Sequence, residues 1–149
     1  VSLVTLRSDL AAQEQSEGPL DNSGSSGSAL NTKRDELEMI LVNPTGVTLE
    51  IASFELTANR STPALEEFEL ATRIGDFEEV WEGRAALPTG TRSLNEGDRD
   101  ERRIGASDAA GSRFKFRDDI SSGPIIFTLT LNYRDGTSSV LVISMEWVR

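Results

Sequence analysis

Between Ile125 and Trp147 the chain alternates apolar and polar residues through two runs separated by an Asp-Gly pair. In the first run Ile125, Phe127, Leu129, Leu131 and Tyr133 interleave with Thr128, Thr130 and Asn132. A period of two puts successive side chains on opposite faces of an extended strand, and a helix repeating every 3.6 residues cannot follow it. Arg134-Asp135-Gly136-Thr137 follows, and Asp-Gly is the preferred pair for a tight type I′ hairpin turn. In the second run Val140, Val142 and Ser144 interleave with Leu141, Ile143, Met145 and Trp147. Apolar residues on both faces predict a strand inside a sheet rather than at its edge.

The same alternation appears earlier, in shorter pieces. Leu37, Met39 and Leu41 alternate with Glu36, Glu38 and Ile40, and Asn43-Pro44-Thr45-Gly46 then supplies a turn. Val47, Leu49 and Ile51 resume the pattern, which slips by one at Ala52–Ser53 before Phe54 and Leu56 carry it on; a β-bulge explains such a slip. A weaker strand is expected over Phe68–Thr72. Phe77–Arg84, with Val80 and Trp81 adjacent, has no clear period. Leu87-Pro88-Thr89-Gly90 turns the chain, Asn95–Gly111 reads as a long solvated loop, and Phe114-Lys115-Phe116 as a short strand. Short strands separated by turn signals predict an all-β fold, an antiparallel β-sandwich of about seven to eight strands.

Residues 1–33 read differently, as a flexible N-terminal arm ahead of a sandwich domain over 34–149. Arg7–Glu17 has the composition of a short helix, and Gly18–Ser28 that of a flexible coil. At the tip, Val1, Leu3, Val4 and Leu6 gain nothing from their hydrophobicity if left in water. Two uses suit them, finishing a membrane anchor that lies upstream of Val1 or adding as a strand to an open sheet edge, their own or a neighbour's; the plain alternative is a disordered end with no role. These four residues are the candidate assembly site. No apolar run approaches the ~20 residues needed to span a bilayer.

Composition narrows the chemistry. The 149 residues include no Cys and no His, which removes thiolate nucleophiles, His-ligated zinc and imidazole acid–base catalysis. The net charge of −10 disfavours a phosphate backbone as partner. Of the 15 bases only Lys33 and Lys115 are Lys, a preference for Arg that suits a salt-rich, halophilic habitat and equally a GC-rich genome. Asp118-Asp119 are neighbours in extended chain and point to opposite sides. Oxygen ligands for calcium lie in Asn95-Glu96-Gly97-Asp98-Arg99-Asp100-Glu101, but the spacing departs from the helical calcium loop, and Arg99, Arg102 and Arg103 compete for the carboxylates. An internally neutralised loop is the reading preferred, with Glu66-Glu67 and Glu78-Glu79 as ordinary surface pairs. Trp81 and Trp147 are read as core, and Asn59-Arg60-Ser61 matches the N-glycosylation pattern. No catalytic residue, cofactor or metal is expected.

The stretch Leu37–Ile51 resembles the opening hairpin of immunoglobulin-like modules, in which a strand ends in Asn-Pro-Thr and the next begins two or three residues later. Group 2 late-embryogenesis-abundant (water-stress) domains and the adhesion-related sandwiches of archaeal surface proteins are similar. A further architectural resemblance is to archaeal pilins and accessory proteins of the archaeal swimming filament, where a hydrophobic N-terminal helix precedes a β-sandwich; here only Val1–Leu6 stands in the place of that helix. These resemblances imply an immunoglobulin-like, non-enzymatic structural module of a cell surface or extracellular filament, self-associating or bound to other surface proteins. A soluble protective or ligand-binding sandwich and a virion structural protein with an extended arm are the rival expectations.

Overall fold

The computed structural model describes residues 2–5, 13–20, 34–73 and 76–147. Eleven strands occur among these residues: β1 (Ser2–Thr5), β2 (Gln13–Glu17), β3 (Glu36–Asn43), β4 (Leu49–Ala58), β5 (Leu65–Arg73), β6 (Asp76–Ala85), β7 (Arg92–Ser93), β8 (Arg103–Ile104), β9 (Asp108–Phe116), β10 (Gly123–Tyr133) and β11 (Ser138–Trp147). The larger sheet has the order β1-β2-β11-β10-β4-β7, with β8 also pairing with β4; the smaller is β3-β9-β5-β6. Every pairing is antiparallel. The chain is an all-β sandwich, and seven of its strands run to eight residues or more. Among the described residues, no helix is long and apolar enough to cross a membrane.

The alternation seen in the sequence is the core. Leu37, Met39 and Leu41 of β3, Phe68 and Leu70 of β5, and Phe114 and Phe116 of β9 face Phe54 and Leu56 of β4, Phe127, Leu129 and Leu131 of β10, and Leu141 and Ile143 of β11; all are buried. Phe68 stacks on Phe114 with centroids 4.4 Å apart, and Phe54 meets Phe68 and Trp81 edge-on at 5.1 and 5.3 Å. Edge-to-face and stacked pairs of this kind add to what burial alone contributes. Trp147 is fully buried beside Phe127, and its indole N–H donates to the Arg34 carbonyl at 3.2 Å. Both tryptophans are core residues.

Two bulges account for the breaks in period. Asn132 pairs with Ser53 and Tyr133 with Ile51, so Ala52 is the extra residue where the sequence slips. On β6, Trp81 pairs with Phe68 and Glu79 with Glu69, which leaves Val80 unpaired between them. Val80 and Trp81 are therefore both buried despite being adjacent. That removes the ambiguity of Phe77–Arg84.

Four sequence expectations are corrected. The Leu37–Ile51 stretch is not a hairpin: β3 and β4 lie in opposite sheets, and the turn between them crosses from one layer to the other. The Asp135-Gly136 turn is not type I′, which requires positive φ at both central residues. Only Gly136 has it (φ 90), and Tyr133 N–H also bonds to the Thr137 carbonyl at 2.9 Å, as in a type I turn closed by a glycine bulge. The segment 95–111 is not all solvated loop. It holds a 3-10 turn over Asp100–Arg102, β8 and the start of β9, with Ile104 and Ala110 buried. Finally, the helix expected over Arg7–Glu17 is strand β2 wherever that segment is described. Its polar run Gln13–Glu17 carries no helical apolar stripe to bury, whereas the adjacent β11 offers an edge that needs a partner.

Candidate functional site

The site of most interest is where the N-terminal segment meets the sandwich. β2 runs antiparallel to β11, from Gln13 opposite Ser144 to Glu17 opposite Val140, and β1 pairs outside β2 from Ser2↔Ser16 to Thr5↔Gln13. Beyond β2 the chain is locked by three features. Gly18 has φ 96, and a Cβ there would run into the Ser138 carbonyl oxygen and lie 2.8 Å from the Ser139 Cα. Leu20 is 1% exposed and belongs to the core. Its N–H donates to the Ser139 hydroxyl oxygen at 3.1 Å, and that hydroxyl also pairs with the Tyr133 phenol at 2.6 Å. Burial holds the Tyr133 phenol far above its ordinary pKa, so it acts only as a neutral hydrogen-bonding group.

Of the candidate assembly residues, Leu3 and Val4 lie in β1, paired with Gln15 and Glu14. Val1 and Leu6 are outside the described residues, as is the arm boundary near Asn31. Sequence reasoning missed Leu20 entirely. It is a lone Leu between Pro19 and Asp21 in a polar stretch, and no period marks it as buried.

A second region is acidic. Thr72, Asp76, Glu78, Asp98, Asp100 and Glu101 line a shallow recess of about 180 Å³ between the β5–β6 hairpin and the loop before β8. Asp98 N–H donates to Glu101 Oε1 at 2.8 Å, and Glu101 N–H returns the bond to Asp98 Oδ1 at 3.1 Å. The arginines expected to neutralise this loop mostly turn elsewhere. Arg99 and Arg103 reach Glu50 at 3.1 and 3.2 Å, joined there by Arg134 at 3.4 Å, while Arg102 donates to the carbonyls of Glu96 and Gly97. Arg103 alone also pairs with Asp100, at 2.9 Å. Burial pushes the Glu50 carboxyl up, but hydrogen bonds from Arg99 and Arg103 and the charges of Arg99 and Arg134 outweigh it and leave it below the ordinary range. Glu78, sharing a hydrogen bond with Glu101 and facing its charge, is raised.

Of the paired glutamates, Glu78 is exposed and Glu66 pairs loosely with Arg84 at 3.8 Å, as surface positions do, but Glu67 and Glu79 are not ordinary surface positions. Glu67, Glu69 and Glu79 are half-buried, and each offers a carboxylate oxygen within 4.8 Å of the others. Lys115 Nζ sits 3.5 Å from Glu67 and 3.6 Å from Glu69. Burial, followed by the charges of Glu67 and Glu82, pushes Glu79 up to about 7. Both clusters offer the hard oxygen donors that suit divalent cations such as calcium or magnesium. Asn59 is exposed just after β4, its Oδ1 accepting from Ile126 N–H at 2.8 Å. Asp118 and Asp119 are exposed, and Asp119 pairs loosely with Arg34 at 3.8 Å.

Compared with protein-family models and with curated proteins, the chain matches none.

Proposed function

We propose that this chain is a non-catalytic structural module of a cell surface or extracellular filament, and that it assembles through its N-terminal segment. One observation carries the reading. The N-terminal segment attaches to the sandwich by strand addition, pairing with β11 over five residues and seating Leu20 in the core. Strand addition is a general way for an extended segment to join a folded domain, with main-chain hydrogen bonds supplying affinity and a seated side chain supplying register. The absence of Cys and His from the sequence fits a structural role better than a catalytic one. Asn59, exposed in a loop, suits glycosylation in an exported protein.

The test is electron microscopy with light scattering on the purified full chain over a wide concentration range. Oligomers or filaments are expected, and they should shrink when residues 1–12, which include β1, are removed. A monomer at every concentration points instead to the soluble protective or ligand-binding reading. Recovery of the chain from purified virus particles points to a capsid arm.

A further inference from the structure

We infer that residues 13–20 form an exchangeable strand, so that the β11 edge covered by β2 in one copy is covered by β2 of a second copy in the assembled state. The inference rests on the assembly reading above and names its partner, another copy of this chain. β11 carries the need for a partner. Leu141 and Ile143 are buried on one face, Val140 and Val142 half-buried on the other, and residues 140–144 all pair with β2. Left open, such an apolar edge is a template for another strand.

What covers it is built like a separate peptide. Gln13, Glu14, Gln15, Ser16 and Glu17 are all polar in sequence, β2 pairs with β11 through its backbone, and among the described residues the buried apolar anchor that follows it is Leu20. Exchange remakes the same register and the same anchor in the neighbour, so no new surface has to be created.

The connection permits both arrangements. Leu20 sits beside Ser139 at one end of β11, and Arg34 sits beside Trp147 at the other. From residue 139 to residue 147 is eight residues along the strand, a path of about 27 Å at the usual rise. Thirteen residues, 21–33, make the link, and the chain from Leu20 to Arg34 extends to about 49 Å at most. A link of this length is long enough to span its own β11 with slack to spare, and the same slack lets the strand reach another molecule. Which partner wins is set by the effective concentration the link creates against the concentration of neighbours.

Two experiments on the whole chain test this. Deleting residues 22–29 leaves a link of five, which reaches only about 21 Å and cannot close within one copy. A dimer or closed ring with intact sandwich spectra is expected, with amides 140–144 still protected from hydrogen exchange. A monomer with those amides unprotected overturns the inference. The chain has no Cys, so a second test is clean: Gln15→Cys and Val142→Cys face each other in the register. Single variants of different mass, mixed at high concentration and oxidised, should give the mixed disulfide dimer, whereas the double variant should lock itself as a monomer. If the double variant, closed on itself, assembles as well as the parent, exchange is wrong while the assembly reading stands. If the parent never assembles but the shortened chain dimerises, exchange stands and the assembly reading falls.

Discussion

Single side chains decide much of this fold, and some were visible only in part. The sequence marks Asn43-Pro44-Thr45-Gly46 as a turn through its Pro and Gly, yet the residue that holds it is Asn43. Asn43 is 0% exposed, and its Nδ2 donates to the carbonyls of Val47, Ile104 and Gly105 at 2.8, 3.0 and 3.0 Å. Its Oδ1 accepts from the backbone and hydroxyl of Thr45. Asn43→Ala takes the donor from the buried Ile104 carbonyl and the part-buried Gly105 carbonyl, while Val47 keeps the Thr45 hydroxyl, and each orphaned polar group costs ~1–3 kcal/mol. Chemical denaturation should show a loss of about 3 kcal/mol. Glu79 makes a prediction about pH. Its folded pKa of about 7 lies above the ordinary value of 4.5, so the native state holds a proton that the unfolded chain has released. That contribution is complete below pH 4.5 and is lost as pH rises through about 7; Glu78 shifts in the same sense. Glu50 has the opposite sign, its contribution being lost as pH falls below the ordinary carboxylate range. Melting temperature should therefore decline from about pH 5 to pH 8, and Glu79→Gln should flatten that decline. An unchanged slope in the variant would assign the pH dependence elsewhere.

Among the elements, the strands that obey a strict period were legible and those that break it were not. β10 and β11 could be read almost residue by residue, because one face of each is buried and a one-residue slip would invert the pattern. β6 hid behind the Val80 bulge, and Ile104 was concealed among the six charges of Asp98–Arg103 because a two-residue strand carries no period. The central placement of β11 was legible from its two apolar faces, but the identity of its outer neighbour was not. Nothing in Gln13–Glu17 distinguishes a strand held by backbone bonds from a solvated coil. This has a consequence for truncation. Removing residues 1–20 uncovers β11 at residues 140–144 and empties the Leu20 seat. The truncated domain should aggregate, with a rise in amyloid-dye fluorescence. Val142→Lys, which puts a charge on the opened edge, should restore solubility. A truncated chain that stays soluble without the Lys would mean that β2 does not protect this edge.

For the whole molecule the governing quantity is charge. Two ion-pair clusters each tie neighbouring segments within one layer, Glu50 with three arginines on the larger sheet and Arg113 with Glu36, Glu38 and Glu69 on the smaller. Even so, the net charge of −10 is uncompensated, and part of it gathers in the recess around Asp98 and Glu101. Two copies approaching each other to exchange strands repel at long range, and the repulsion is set by the screening length, not by the contacts they finally make. Raising salt from about 0.01 M to about 1 M shortens that length from roughly 30 Å to roughly 3 Å. The cross-strand bonds between β2 and β11 are backbone contacts, and the Leu20 seat is apolar, so neither is weakened by screening. Association of the full chain, followed by light scattering, should therefore rise with salt, and the rate of mixed disulfide formation between the Gln15→Cys and Val142→Cys chains should rise with it. Assembly that dissolves as salt is added would mean that exposed ion pairs between copies hold it together, in place of a shared strand.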